Sequence, residues 1–286
     1  MWPLRVFPHG LSLILSEDKL TVSFEPTVYQ AKTGASSRPA RPLRIIHTGD
    51  VHLESDTFTT GKDPAEVRQK LRRAFSNVID LAICERADLL LIAGDLFDSS
   101  RVSEEAIDFA LAEIERASMR VVAIPGNHDP HDDTSVLAAM ERRKLPPNLH
   151  LILSLEGQTL EFADLQTRIW ARAMREHSAD YRPLQGLSPA RSGWWNIALA
   201  HGLFVEEDDG LRASPITPAE IAASGYDYVA LGHVHVFREL SQGSTCAAYC
   251  GAPVPAHSGA GEGTVALVVC SPDSGATVRA VRLAAP

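Results

Sequence analysis

Three short apolar runs in the first half of this sequence each end in a polar turn: "LRIIHTGD" (43–50), "DLLLIAGD" (88–95) and "RVVAIPGNHD" (120–129). Between the first two lies "PAEVRQKLRRAFSNVIDLAICERA", with Val67, Leu71, Phe75, Val78, Leu81 and Ala82 at helical spacing. Between the second and third lies "SEEAIDFALAEIERA", where Ser103 stands ahead of Glu105 as a helix start. Apolar runs of strand length alternating with amphipathic helices predict a βαβαβ unit, which has parallel strands and a helix-covered face. Such a unit also places every strand-to-helix turn at one edge of the sheet.

Beyond about residue 148 strands predominate: "NLHLILS", "QTLEFADLQTRIWARA", "WNIALAHG", "YDYVALGH", "TCAAYCGAP", "GTVALVVCS" and "ATVRAVRL". One helix is expected over "TPAEIAASG", with Pro218 near its start and Gly225 at its end. So many apolar strands are best buried by two sheets packed face to face. The expected class is therefore α/β, a two-sheet β sandwich flanked by helices, formed by one domain over residues 43–286. Residues 1–42 read as an N-terminal extension. "LILSEDKLTVSFEPTVYQ" alternates weakly like a hairpin, and "KTGASSRPARP" (32–42) is a linker by composition.

Nearly every strand that ends in a polar cluster ends in residues able to bind a metal. "HTGDVHLES" supplies Asp50 and His52, and "LIAGDLFDSS" supplies Asp95 and Asp98. "PGNHD" supplies Asn127 and His128, "ALAHGLF" His201, and "ALGHVHVF" His233 and His235. Any one of these has a simple explanation as turn chemistry. Together they converge on one crevice, because ligands in α/β sheets bind outside the carboxyl ends of the strands. Carboxylates and imidazoles gathered there are costly to bury unless cations compensate them. Seven candidate ligands (Asp50, His52, Asp95, Asn127, His201, His233 and His235) suit two ions sharing a carboxylate. Imidazole, carboxylate and amide oxygen without thiolate favour Mn, Fe or Zn. Two ions roughly 3.5–4 Å apart hold a bridging hydroxide and stabilise in-line attack on phosphorus.

The remaining histidines, His9, His47, His131, His150, His177 and His257, lack such a setting and read as surface or satisfied core residues. The acidic run "EEDD" (206–209) reads as a solvated loop. Cys84, Cys246, Cys250 and Cys270 form no CxxC pair and read as reduced thiols of a cytoplasmic protein. The sequence contains no uninterrupted apolar run of about 18 residues, so no membrane span is expected. The N-terminus lacks the features of a signal peptide. A formal net charge of −9 is the wrong sign for a broad basic nucleic-acid surface, although bound cations would change the local field.

The ordered set "GDVH", "GDLFD", "GNHD", "AHG" and "GHVH" resembles the calcineurin-like metallophosphoesterase superfamily, over residues 44 to about 255. The resemblance implies a four-layer αββα core and a cofactor of two divalent metals, Mn foremost, with Fe, Zn or Mg as alternatives. One ion would take Asp50, His52 and His235, and the other Asn127, His201 and His233, with Asp95 bridging. His128 matches the catalytic histidine, which assists the leaving oxygen without binding metal, and Asp98 has the spacing of the carboxylate that orients it. Asp129 is a second candidate for that orienting role.

Within the superfamily, "IIHTGDVHLES", "LLLIAGDLFDSSRVS", "YDYVALGHVH" and "YCGAPVPA" look most like the SbcD-type DNA-repair exonucleases. That likeness implies phosphodiester cleavage in DNA, an ABC-type ATPase partner and a homodimer. A helical pair for docking on the ATPase is not evident, and only about 16 residues follow "TVALVVC", too few for a DNA-capping domain. A small-molecule phosphodiesterase, acting on a cyclic nucleotide or nucleotide-derived ester, is the alternative expectation.

Overall fold

In the computed structural model, which describes residues 38–56, 63–254 and 262–283, the apolar runs form two six-stranded sheets. The hairpin reading of residues 13–30, His9 and His257 lie outside the described residues. In chain order the elements are β1 (Leu43–Thr48), α1 (Pro64–Cys84), β2 (Leu89–Ala93), α2 (Glu104–Arg116), β3 (Arg120–Ile124), α3 (Val136–Glu141) and β4 (Leu149–Leu151). Then come β5 (Gln158–Phe162), β6 (Thr167–Ala171), β7 (Trp195–His201), β8 (Leu203–Phe204), β9 (Pro215–Ile216), α4 (Pro218–Ser224) and β10 (Tyr228–Gly232). The last four strands are β11 (Phe237–Glu239), β12 (Cys246–Cys250), β13 (Thr264–Ser271) and β14 (Gly275–Arg282).

The first sheet runs β14-β13-β1-β2-β3-β4, and the second β11-β12-β10-β7-β6-β5. Strands β1 to β4 are mutually parallel, as the βαβαβ pattern predicts, while β13 and β14 add antiparallel. In the second sheet β12, β10, β7 and β6 are parallel, and the edge strands β11 and β5 are antiparallel. Strands β8 and β9 form a separate two-stranded pair.

Alternation along the strands creates three apolar layers between four layers of structure. Ile46, Leu90, Ile92, Val121 and Ala123 face the helices, meeting Val67, Leu71, Phe75, Val78 and Ile79 of α1 and Ile107, Ala110 and Ile114 of α2. Their neighbours Ile45, Leu89, Leu91, Val122 and Ile124 face inward and pack on Ile169, Trp195, Ile197, Leu199 and Tyr228 of the second sheet. The outer face of that sheet buries Ala198, Val229, Leu231 and Tyr249 with Ile221 of α4. A β strand whose every residue is buried, as in β2, has to be covered on both sides, and this sequence of layers does so.

The helices start at side-chain caps, with Ser103 at the start expected from sequence. Asp63 accepts from the Ala65 amide ahead of Pro64, and Ser103 accepts from the Ala106 amide. Thr217 and Glu220 form a capping box on α4, which ends at Gly225 with φ 64°. The last residues of the linker stretch contact the body: Arg41 pairs with Asp88, and its carbonyl accepts from the Trp195 indole. No helix among the described residues is long and apolar enough to cross a membrane.

Candidate metal centre

The two loops that follow β1 and β2 stay side by side after the strands end. The amides of Val51 and His52 both donate to the Asp95 carbonyl, Leu53 N–H donates to Leu96, and Asp98 N–H returns to Leu53. This continued pairing sets Asp50 and His52 beside Asp95 and Asp98. Asn127 and His128 arrive from the carboxyl end of β3. On the facing sheet, His201 ends β7 in register with Gly232 of β10, so His201 and His233 emerge together. The residues expected at the strand ends are thus brought together between the carboxyl ends of both sheets.

The backbone reaches this arrangement under strain. Asp50 (φ 52°), His52 (φ 53°), Asp95 (φ 51°) and His233 (φ 103°) all have positive φ without being glycine. Each such residue costs about 1–3 kcal/mol, and clustering of this kind is a mark of functional sites. Two glycines allow the close approach. A Cβ on Gly94 would collide with the His201 ring, and one on Gly126 with the Asp95 carboxylate. Asp129, buried beneath, accepts from the amides of Gly126, Asp95 and Phe97 at 2.7, 3.2 and 3.1 Å. Asp129 thus ties the β2 and β3 loops together.

Two groups of donors result. On one side His52 Nε2 lies 3.2 Å from His235 Nε2, and His235 Nε2 lies 3.6 Å from Asp50 Oδ1. On the other, Asn127 Oδ1 lies 2.9 Å from His201 Nε2 and 2.8 Å from His233 Nδ1. Asp95 Oδ2 stands between them, 3.8 Å from His52 Nε2 and 3.5 Å from His201 Nε2. Metal–ligand bonds of about 2.1 Å imply neighbouring donors roughly 3.0–3.4 Å apart around one ion, close to these separations. Asp50, His52 and His235, and likewise Asp50, Asp95 and His201, have donor atoms within 4.8 Å of one another.

The electrostatics agree with a cation site. Burial first, and then the neighbouring Asp95 charge, push the Asp50 carboxyl well above its usual range. For Asp95, burial acts upward, but His201 and His52 together hold it below the usual value. Burial lowers His201, and it brings His233 and His235 down to about 4. At neutral pH these imidazoles are therefore uncharged and have a lone pair to offer a metal. A divalent ion bound here would favour the ionised form of both carboxylates and offset the cost of burying them. The residues present fit two such ions.

His128 is exposed, and its amide donates to Asp95 Oδ1 at 2.8 Å. Its ring stands edge-on to His52 with centroids 4.6 Å apart. Asp98 meets it chiefly through the backbone: His128 Nδ1 is 3.2 Å from the Asp98 carbonyl oxygen and 3.5 Å from its carboxylate. The same carboxylate is closer to His52, at 2.8 Å from Nδ1. The oxygens of Asp129 accept from the three loop amides, and no hydrogen bond among the described residues joins them to His128.

His177, read from sequence as a surface or core residue, has its ring centroid 5.0 Å from that of His233. No periodic or motif signal marks it. His47 is a core residue, with Nδ1 2.8 Å from the Tyr228 hydroxyl between the sheets, but its buried Nε2 has no hydrogen-bond partner among the described residues, so it is not the satisfied residue expected. Cys246 and Cys250 are buried, and burial raises Cys246 to about 12 and Cys250 well above its usual value, so neither offers a thiolate. Residues 206–209 form an exposed loop in which Asp208 pairs with Arg182.

Comparison with known proteins places this geometry. A sequence profile described as calcineurin-like phosphoesterase matches residues 43–237. The chain is 28% identical over 214 residues to the metallophosphoesterase YhaO of Bacillus subtilis, covering 70% of this chain and 50% of that protein. It is 27% identical over 237 residues to the DNA double-strand break repair protein Mre11 of Methanopyrus kandleri, covering 74% and 49%. The chain thus spans about half the length of the curated relatives it matches. Among solved structures, a dimetal phosphatase from Danio rerio shares the fold, with TM-score 0.50, 11% identity and coverage of 86% of this chain and all of the other.

Proposed function

Because the chain belongs to the calcineurin-like phosphoesterase family, we propose that it is a two-metal phosphodiesterase acting on DNA, a nuclease of the SbcD and Mre11 kind. The observation that carries the chemistry is the meeting of Asp50, His52, Asp95, Asn127, His201, His233 and His235 in one crevice at polyhedral spacing. In this reading Asp50, His52 and His235 hold one ion, Asn127, His201 and His233 the other, and Asp95 both. Manganese is the first choice, with iron, zinc or magnesium as alternatives for the same donors. Residues 43–286 form the phosphoesterase domain and residues 1–42 an extension to it.

Two divalent ions bound there would neutralise the carboxylates, polarise phosphoryl oxygens and supply an activated water. The protein's own part falls to His128. A carbonyl oxygen can only accept, so the contact with Asp98 keeps the proton on Nδ1 of His128. Nε2 is then the nitrogen left to hold a proton at the departing oxygen, the role of a general acid. Neutral His201 and His233 keep their lone pairs for binding, and the strained loops around Asp50 and Asp95 hold the donors in place before substrate arrives.

The DNA assignment is supported by the Mre11 relatives, and with it come an ABC-type ATPase partner and a homodimer as further parts of the proposal. One observation favours the second reading, a small-molecule phosphodiesterase. Much of the basic surface is already paired with acids: Arg68 with Asp56, Arg72 with Glu54 and Glu105, Arg143 with Glu104 and Asp108. With a net charge of −9, little positive field is left to follow a DNA backbone.

The deciding experiment is a gel assay with manganese-loaded protein on end-labelled single- and double-stranded DNA, beside bis-p-nitrophenyl phosphate. Cleavage of DNA and ester, both abolished by Asp95→Ala, is the expected result. Cleavage of the ester alone moves the assignment to small-molecule substrates. No cleavage of either by a metal-loaded protein overturns the proposal.

A further inference from the structure

Beside Asn127, His201 and His233 stands His177, outside every donor cluster found among the described residues. Its ring lies 5.0 Å from that of His233, the two planes at 44°. Its Nδ1 is 2.9 Å from the hydroxyl of Ser214, a wholly buried residue with φ 48°. A serine held in left-handed backbone is uncommon and points to a position fixed by its surroundings.

Those surroundings tie the pair to the site. Ser214 N–H donates to the Ser178 carbonyl at 2.8 Å, and the Ser214 carbonyl accepts from Leu203 N–H at 2.9 Å. Leu203 is two residues beyond His201. At Gly202, between them, any Cβ would collide with the Ser214 carbonyl. The chain from His201 to Leu203, Ser214 and the segment carrying His177 therefore form one hydrogen-bonded unit, and His177 is exposed within it.

We propose that His177 is a substrate-binding residue whose Nε2–H donates to a non-bridging oxygen of the phosphate group seated beside Asn127, His201 and His233. In the tautomer this role requires, the Ser214 hydroxyl donates to Nδ1 and the ring proton sits on Nε2, facing the phosphate. That leaves a neutral donor aimed by a buried partner, which is how a phosphate oxygen is recognised without adding a charge to a crowded site. This assignment rests on the two-metal reading above and deepens it by naming a residue that touches substrate without touching metal.

The test uses the full chain loaded with Mn²⁺, with inorganic phosphate as the calorimetric probe and a phosphodiester for kinetics. His177→Ala is expected to keep the wild-type manganese content, weaken phosphate binding by about tenfold or more, and raise KM more than it lowers kcat. His177→Gln, which retains an N–H donor, is expected to recover part of the loss, and Ser214→Ala to weaken phosphate binding less than His177→Ala. Unchanged phosphate affinity and KM in His177→Ala overturn the assignment while leaving the metal site standing. Loss of manganese from His177→Ala overturns it too, by showing a supporting role for the metal side. If wild-type protein takes up no manganese, the two-metal reading itself fails.

Discussion

The carboxylate of Asp98 stands closer to His52 than to His128: Oδ1 is 2.8 Å from His52 Nδ1, against 3.5 Å from His128 Nδ1. A metal-binding imidazole is commonly fixed in this way, its second nitrogen held by a carboxylate that sets the tautomer and turns the other nitrogen to the ion. His128 is served instead by the neighbouring carbonyl.

Removal of the Asp98 carboxylate is therefore expected to act on the metal. Asp98→Ala should weaken the binding of one manganese by about 10- to 100-fold. Manganese titration of the variant checks this. Full affinity accompanied by a slow rate would instead assign Asp98 to His128.

His128 has the opposite signature. His128→Ala should keep the wild-type metal content and lose about 10²–10⁴ in rate, the usual worth of a general acid. Elemental analysis and kinetics on the same preparation separate the two effects. An emptied site would make His128 a ligand.

The approach of the β2 and β3 loops depends on Gly126. A Cβ there would collide with the Asp95 carboxylate and lie 2.6 Å from the Asp95 amide nitrogen. Gly126→Ala is expected to lower metal content below wild type as well as the unfolding temperature, if Asp95 is the donor both ions share as proposed. Wild-type metal content in this variant would show that the loop can shift without disturbing Asp95.

Much of this was legible beforehand, for identifiable reasons. Strand ends in a parallel sheet fall at one edge, so "GDVH", "GDLFD" and "GNHD" could be assembled without coordinates. The helix start at Ser103 is local side-chain chemistry, as are Pro218 and Gly225 at the two ends of α4. Six-residue α3 was missed because it is too short to show a period within "HDDTSVLAAMERRK". The partner of Asp98 depends on how the loops after β1 and β2 pair, and that of His177 on a serine 37 residues away. Neither distance in space follows from spacing in sequence.

His47 predicts a pH effect on folding. Burial lowers it from 6.5 to about 3 in the native protein, so between those values the unfolded chain binds more protons. Its contribution to stability is present above about pH 6.5 and is lost as pH falls toward 3, at about 1.4 kcal/mol per pH unit. Urea unfolding of metal-free protein at pH 7 and pH 4 checks this against His47→Gln. The variant should lose about 3 kcal/mol less than wild type over that interval. Equal losses would contradict the assignment.

The central claim, that Asp95 joins two cation sites, is tested most directly by counting bound metal. Manganese-loaded, gel-filtered protein is predicted to hold two ions per chain by elemental analysis, and Asp95→Ala to hold none firmly. A single ion in the wild type, or two retained by Asp95→Ala, would contradict the account.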